Sequence, residues 1–424
     1  MKAIVEPGYL KGRIGIPPSK SLMQRICAAA LLHPGKTFIR NPGHSEDDMA
    51  ALNIIRQLGA HVVQSGSTIE VQSSGKPGAA TEIDCGESGL SARLFTPIAA
   101  IADHWVRING RGSLLRRPMD ALGSVLPSLG VSLQDFTGTV PFSLRGPLRP
   151  GHITLDGSMS SQFLSGLLFA LTFNTDETTI VRVHNLKSKP YIDLTLQVLE
   201  TFGKKIRHSD YHEFEIDPSG FHTVPEVDVT VEGDWSSAAF WAVGAAVSGN
   251  LQLDGIARDS VQADRAVLDV LAQSGCAAVY SNGTLALQSP DTLRSFCFNA
   301  IDAPDLFPVL SVLAACCRGE SRIAGLHRLQ HKESDRRQSI CLMLERFGVS
   351  WRIEGDELVI SGREILNGGE IDGSGDHRIV MAAAIGALRA ANPVLISSAE
   401  SIGKSYPLFF QHLSSLGINL RLQS

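Results

Sequence analysis

The 424-residue sequence has no block of like charge, no paired cysteine spacing and no apolar run of membrane-span length. Each lack narrows what the chain can be. A formal net charge of -5 argues against a nucleic-acid footprint, and without a charge block there is neither a polybasic membrane patch nor a charged tail. Any anion site must therefore be local. The seven cysteines, at positions 27, 85, 276, 297, 316, 317 and 341, are an odd set without metal-like spacing. Most sit inside apolar runs such as Ala314-Ala315-Cys316-Cys317, as expected of buried, reduced thiols in a cytoplasmic protein. Met1 leads straight into strand-like Ala3-Ile4-Val5 with no charged-then-apolar signal pattern, so the expectation is a soluble, unexported protein with no membrane partner.

What is present is size and repetition. A chain of this length with 43% hydrophobic residues exceeds what one core usually supports, and two domains is the default. An amphipathic helix ending in glycine, then a strand, a turn and another strand, recurs six times. The glycines are Gly59, Gly130, Gly203, Gly275, Gly348 and Gly417, spaced by about 70 residues. Glycine just past a helix end takes the left-handed C-cap without a Cβ penalty. A second, more apolar helix recurs at the same period, beginning near Lys20, Ser88, Ser160, Asp234, Asp302 and Asp376. Helices apolar all round are buried, and the two-faced ones should cover them. Six such units form either a solenoid or two closed domains of three, and the lack of polar capping repeats favours two domains.

The stretch His331-Lys332-Glu333-Ser334-Asp335-Arg336-Arg337 reads as a helix N-terminus that embeds a carboxylate between cations. Such a site could hold an anion and move a proton; the alternative is a solvated first turn with a Glu333–Arg337 pair. Elsewhere Lys20 and Arg25 follow Pro17-Pro18-Ser19, where a lysine opposes the helix dipole and so wants an anion. Glu46-Asp47-Asp48 suits the dipole and needs no further role. Gly86-Glu87-Ser88-Gly89 could bring backbone N–H groups close to a ligand or could be only a turn. Arg117 beside Pro118 fits a first helical turn and offers bidentate donors to a carboxylate or phosphate. Ser158-Met159-Ser160-Ser161-Gln162 puts hydroxyls and an amide at the mouth of an apolar helix, and Lys187-Ser188-Lys189 precedes another. Asp305 stands at an apolar helix start as a base or an N-cap. Gly375-Asp376-His377-Arg378 and Gly403-Lys404 repeat the theme of glycine, then cation, at a helix start. Cations gathered at helix starts across a net acidic chain point to an anionic ligand.

Six runs, PPSKSLMQR, DGSMSSQFLSGLL, LKSKPYIDLTL, HKESDRR, GDHRIVMAAA and GKSYPLFF, resemble in their order those of the 3-phosphoshikimate 1-carboxyvinyltransferase (EPSP synthase) family of enolpyruvyl transferases. The resemblance spans essentially the full length. It implies an α/β (α+β) fold, a two-domain inside-out α/β barrel of six βαβαββ repeats. The domains would be residues 20–233 and residues 1–19 with 234–424. It also implies a cytoplasmic, monomeric transferase of the shikimate pathway to chorismate and the aromatic amino acids, working on shikimate 3-phosphate and phosphoenolpyruvate without metal or organic cofactor. Matched motif by motif, Lys20, Ser21, Arg25, Ser160, Ser161, Gln162, Ser188, Asp305 and Lys332 would bind shikimate 3-phosphate. Lys20, Gly89, Arg117, Gln162, Arg336, Arg378 and Lys404 would bind phosphoenolpyruvate, with Asp305, Glu333 and Lys20 serving the proton transfers between two lobes that close over the substrates.

Two departures stand out. Glu87, Leu90 and Leu94 replace the family's common Asn, Thr and Pro, and Arg328 stands where Asn is frequent. Because glyphosate occupies the phosphoenolpyruvate site of the family, the first departure implies altered glyphosate sensitivity. The hypothesis would be abandoned if Leu90→Thr/Leu94→Pro left the inhibition curve unchanged. Among rivals, a UDP-N-acetylglucosamine enolpyruvyl transferase would carry Lys-Asn near its N-terminus and a loop cysteine before Arg-Pro. Here Lys20-Ser21 and the cysteine-free loop 112–117 stand instead. A non-catalytic binding protein of the same fold is the other alternative.

Overall fold

The six repeated glycines stop their helices as their chemistry requires. In the computed structural model, which describes residues 1–158 and 160–423, the covering helices are Glu46–Gln57, Asp120–Ser128, Lys189–Thr201, Val267–Gln273, Arg336–Arg346 and Phe409–Ser415. Each ends two residues before its glycine, and all six glycines have positive φ, from 69° at Gly348 to 98° at Gly417. The apolar helices are Lys20–Leu32, Gly89–Ala99, Ser161–Phe173, Trp235–Ser248, Phe307–Cys316 and His377–Ala387, buried at nearly every position. Five begin immediately after a Ser or Asp whose side chain accepts a backbone N–H of the first turn.

The remaining one corrects the expected start near Asp302. Its α-helix begins at Phe307, and Pro304, Asp305 and Leu306 form a 3-10 turn before it. Pro304 restricts Ala303 to non-helical angles, which holds the helix back. Three further starts differ from expectation. Lys332 and Glu333 precede the helix, which opens at Arg336 behind the N-cap Asp335. Lys404 ends a 3-10 turn, Ala399–Lys404, and the next helix waits until Phe409, beyond Pro407. Likewise Arg117 is extended, at the end of the 3-10 turn Gly112–Arg116, and the helix begins at Asp120.

The strands form six four-stranded sheets of one pattern, with a parallel pair at one side and an antiparallel pair at the other, a hairpin in five of them. In one of them Glu82–Asp84 runs parallel to Trp105–Asn109, which pairs antiparallel with Phe142–Arg145 and through it with Ser132–Gln134. The chain divides into two compact units, residues 18–232 and residues 1–17 with 233 onward, each holding three of the sheets. The strand before each passage pairs within its own unit. Leu10–Gly15 pairs in parallel with Gly249–Asp254, and Glu226–Thr230 pairs with Pro34–Arg40. The first strand, Lys2–Val5, lies between Val394–Ile396 and Leu420–Gln423, so both chain ends are tied into one sheet.

Close helix packing positions the functional segments. A Cβ on Gly166 would lie 2.6 Å from the Leu94 carbonyl oxygen, so helix Ser161–Phe173 meets the backbone of helix Gly89–Ala99 directly. Among the described residues no helix is long and apolar enough to cross a membrane, and no cluster of His, Cys, Asp or Glu is arranged to hold a metal ion. The seven cysteines are unpaired, and all but Cys297 are buried.

Candidate active site

In the unit that contains residue 233 onward, a single guanidinium organises the charged side chains. Arg336 is 1% exposed. Its Nε donates to Asp376 Oδ2 at 2.7 Å, its Nη1 to Asp305 Oδ1 at 2.8 Å, and its Nη2 to Glu333. Burial works against its charge, but Asp376, Glu333 and Asp305 outweigh burial and hold the cation firmly. The expected i,i+4 partner of Glu333, Arg337, is replaced by this i,i+3 pair because Glu333 lies off the helix.

Three cations converge on the Asp305 carboxylate. Arg378 Nη2 donates to its Oδ2 at 3.0 Å, and Lys332 Nζ lies 3.4 Å from Oδ1. Burial alone would raise the Asp305 carboxyl; Arg378, Lys332 and Arg336 together hold it well below the ordinary carboxylate range. The same crowding affects Lys332, whose ammonium is pushed down to about 8, first by burial and then by Arg336 against the pull of Asp305. Arg328, at the departure from the family pattern, is half-buried in the field of Asp302 and Asp305. Asp376, fully buried, caps helix His377–Ala387 through the Arg378 N–H at 3.0 Å and accepts from Ser334 Oγ at 3.2 Å. Lys404 Nζ reaches the Gly375 carbonyl at 3.0 Å, beside that cap. Asp305, Lys332, Glu333, Arg336 and Arg378 thus form one linked cluster, with Lys404 at its edge.

The unit of residues 18–232 holds three sets. Lys20 opens its helix and donates to Asp47 Oδ2 at 2.9 Å, both side chains being mostly buried. The dipole explanation of Asp47 is therefore incomplete. Asp48 does serve the helix start, in a reciprocal capping box with Ser45. In the second set, Arg93 donates to Gln162 Oε1 at 3.1 Å, to the Gly89 carbonyl at 3.2 Å and to the Pro118 carbonyl at 2.7 Å. A Cβ on Gly89 would fall 2.5 Å from the Arg117 guanidinium carbon, so the missing side chain is what admits Arg117. Glu87 secures the loop before Arg117, accepting from both the N–H and the hydroxyl of Ser113 at 2.9 Å. Leu90 and Leu94 are buried in the same helix start region.

The third set surrounds Arg25. Its guanidinium is buried and donates to Thr195 Oγ1 at 2.9 Å and to the carbonyls of Ser21 and Tyr191 at 2.8 and 3.2 Å. Burial brings it down to about 10, with no carboxylate among these acceptors. Ser160 caps the helix carrying Ser161 and Gln162 by accepting the Gln162 N–H at 3.1 Å. Ser188 stands at the N-cap position of helix Lys189–Thr201 in a left-handed conformation, φ 57°, which a residue with a Cβ adopts rarely, and makes no side-chain capping bond there. Sequence reasoning gave Asp47 to the helix dipole alone and passed over the roles of Arg93 and Asp376. Asp376 and Asp47 look locally like ordinary helix-start acids, and only their long-range partners distinguish them.

The family model described as EPSP synthase (3-phosphoshikimate 1-carboxyvinyltransferase) matches residues 4–413. A protein of that name from Clostridium perfringens is 34% identical over 427 residues, covering 99% of each chain. Another from Clostridium acetobutylicum is 35% identical over 422 residues, covering 97% of this chain and 96% of its own. The solved EPSP synthase of Acinetobacter baumannii superposes with a TM-score of 0.81 at 25% identity, covering 99% of this chain and 100% of that one. The enolpyruvyl transferase NikO of Streptomyces tendae shares the fold, with a TM-score of 0.77 at 19% identity over 99% of this chain and 98% of its own. The chain belongs to the EPSP synthase (3-phosphoshikimate 1-carboxyvinyltransferase) family.

Proposed function

We propose that the chain transfers the enolpyruvyl group of phosphoenolpyruvate to the 5-hydroxyl of shikimate 3-phosphate, releasing phosphate, and that its charged clusters divide the work. The observation that carries the division of labour is the bridging of Asp305 and Glu333 by Arg336. Two carboxylates held on one guanidinium suit a reaction with two proton movements. Glu333, with Lys20, delivers a proton to the methylene carbon of phosphoenolpyruvate, and Asp305 takes the proton of the attacking hydroxyl as the new C–O bond forms. Loss of a methyl proton back to Glu333 then expels phosphate from the tetrahedral ketal. Positioned acid–base groups of this kind contribute roughly 10²–10⁴ in rate.

The cations account for the larger part. Lys20, Ser21, Arg25, Ser160, Ser161, Gln162, Ser188, Asp305 and Lys332 serve shikimate 3-phosphate. Lys20, Gly89, Arg117, Gln162, Arg336, Arg378 and Lys404 serve phosphoenolpyruvate, so that two mutually repelling anions are held in reacting geometry. An incoming anion competes with Asp305 for Arg378 and Arg336. Each cation it takes returns basicity to Asp305, so substrate binding itself prepares the base. The same reading treats the six sheets as βαβαββ repeats of a two-domain inside-out α/β barrel, with domains 20–233 and 1–19 plus 234–424. It also takes the enzyme to be a cytoplasmic monomer that uses no cofactor.

The test is phosphate release from phosphoenolpyruvate with shikimate 3-phosphate, run in parallel with UDP-N-acetylglucosamine. Release with the first acceptor alone is expected, with losses of about 10²-fold or more for Asp305→Ala and Glu333→Gln. Undiminished turnover in either variant would refute its assigned role.

A further inference from the structure

The hairpin that joins strands Arg207–Ser209 and Glu213–Ile216 closes on an unusual pair of residues. Its turn, completed by the His212 N–H donating to the Ser209 carbonyl at 2.8 Å, places Asp210 at φ 51° and Tyr211 at φ 62°. Two left-handed residues in succession are what hairpins ordinarily give to Asn-Gly or Gly-Gly, because a Cβ is crowded there. A bulky aromatic residue in that region is a backbone outlier, and it persists only where its surroundings hold it.

What holds Tyr211 is the start of helix Lys189–Thr201. Its hydroxyl donates to Asp193 Oδ1 at 2.7 Å, a bond strengthened by the charge of the carboxylate. The Lys189 ammonium lies 5.2 Å from the centre of its ring, within reach of a cation–π attraction. On the hairpin side, His208 accepts the Tyr211 N–H on Nδ1 at 3.3 Å, with the two ring centres 4.6 Å apart. One side chain therefore straps a strained turn to two residues of the helix start. Candidate site residues lie at that same start. Ser188, itself left-handed, immediately precedes Lys189. The Tyr191 carbonyl and Thr195 Oγ1, both on this helix, accept from Arg25 at 3.2 and 2.9 Å. The pose of the helix thus sets Ser188 directly and Arg25 through two of its acceptors.

We propose that Tyr211 is a positioning residue for shikimate 3-phosphate: through Lys189 and Asp193 it clamps the start of helix Lys189–Thr201, and so fixes Ser188 and Arg25. This role rests on the reading of Ser188 and Arg25 as shikimate 3-phosphate ligands. The strain of the turn is set against the two contacts on the helix, so the outlier and the clamp are one device.

The experiment is steady-state phosphate release by the full-length enzyme, with KM and kcat measured for each substrate while the other is saturating. Tyr211→Gly adopts the left-handed turn without strain but removes both contacts. KM for shikimate 3-phosphate then rises about three- to tenfold, while kcat and KM for phosphoenolpyruvate stay within about twofold. Tyr211→Phe keeps the ring over Lys189 and loses only the bond to Asp193. It gives a smaller rise, about two- to threefold, and decides the matter if the glycine variant does not fold. Asp193→Ala reproduces the Tyr211→Phe rise, and the double variant goes no further than either single one, since both remove the same bond. A parental KM for shikimate 3-phosphate in the Tyr211 variants overturns the proposal, as does an equal rise in both KM values, which marks a general loosening of the fold. If Ser188→Ala or Arg25→Gln raises that KM while the Tyr211 variants do not, the ligand reading stands without the clamp. If neither Ser188→Ala nor Arg25→Gln raises it, the ligand reading falls and the clamp with it.

Discussion

Removing the charge of Asp376 should separate two contributions that one carboxylate makes. It caps helix His377–Ala387 through Oδ1, and it holds the Nε of Arg336 at 2.7 Å, with both side chains inaccessible to water. Asp376→Asn keeps a good N-cap acceptor but leaves Arg336 with one fewer counter-charge; Asp376→Ala loses both. Breaking a buried pair from one side costs about 3–5 kcal/mol, because the remaining charge stays desolvated. Arg336 retains Asp305 and Glu333, so the Asn variant should fall nearer 2–3 kcal/mol, still within the range of hydrogen bonds to charged groups. The Ala variant should lose about 1 kcal/mol more for the cap. For a unit of this size roughly 2–4 °C accompanies each kcal/mol, so Tm should drop by about 4–12 °C for Asn and more for Ala. Thermal unfolding reads the stability, and steady-state kinetics reads the second effect. A misaimed Arg336 should lower kcat/KM for phosphoenolpyruvate by up to about 10²-fold. A Tm for Asp376→Asn within about 1 °C of the parent, with kcat/KM unchanged, would refute the argument that this pair orders the cluster.

Other consequences can be measured in the same assays. Lys332 is held down to about 8 in the folded chain against 10.5 for an exposed lysine. Below about 8 it is charged in both states and its burial penalty is fully felt; the penalty is relieved as pH rises from there toward the unfolded value, so stability gains from this group with rising pH. Acceptor binding should move the opposite way, with KM for shikimate 3-phosphate rising above about pH 8 and Lys332→Arg removing that alkaline limb. A limb unchanged in Lys332→Arg would assign it elsewhere. Gly166→Ala should destabilise by about 1–3 kcal/mol, since the helix-propensity gain of about 1 kcal/mol is smaller than the strain of a Cβ set against rigid backbone. The nearest atoms are the Leu94 and Arg93 carbonyl oxygens, at 2.6 and 2.7 Å. An unchanged or raised Tm would show that the two helices separate freely. Glu87→Ala frees Ser113 and loosens the loop before Arg117, so KM for phosphoenolpyruvate should rise by about three- to tenfold, and Glu87→Gln, which keeps an acceptor, should recover most of it. Equal KM values in all three enzymes would make Glu87 a surface acid without influence on Arg117.

Local chemistry was readable without coordinates. Glycine at six regular positions stops six helices because a left-handed residue closes each end, and a Ser or Asp cap starts five of the buried ones. Both effects act within a turn of chain, so sequence alone carries them, and the six ordered motifs carried the family. The starts that were misplaced, at Asp120, Phe307, Arg336 and Phe409, all follow segments where a proline or a tight turn delays the helix while keeping the same residue types. Which charges meet is a different matter. Glu333 with Arg336 is a local pair, but Arg336 reaches Asp305 and Asp376 from 31 and 40 positions away, and Lys20 finds Asp47 across 27. An acid at a helix start has the same local pattern whether it only caps the helix or also restrains a distant arginine. Tertiary packing decides between them, because burial makes the choice of partner worth several kcal/mol, and burial is a property of the assembled core rather than of any stretch of sequence.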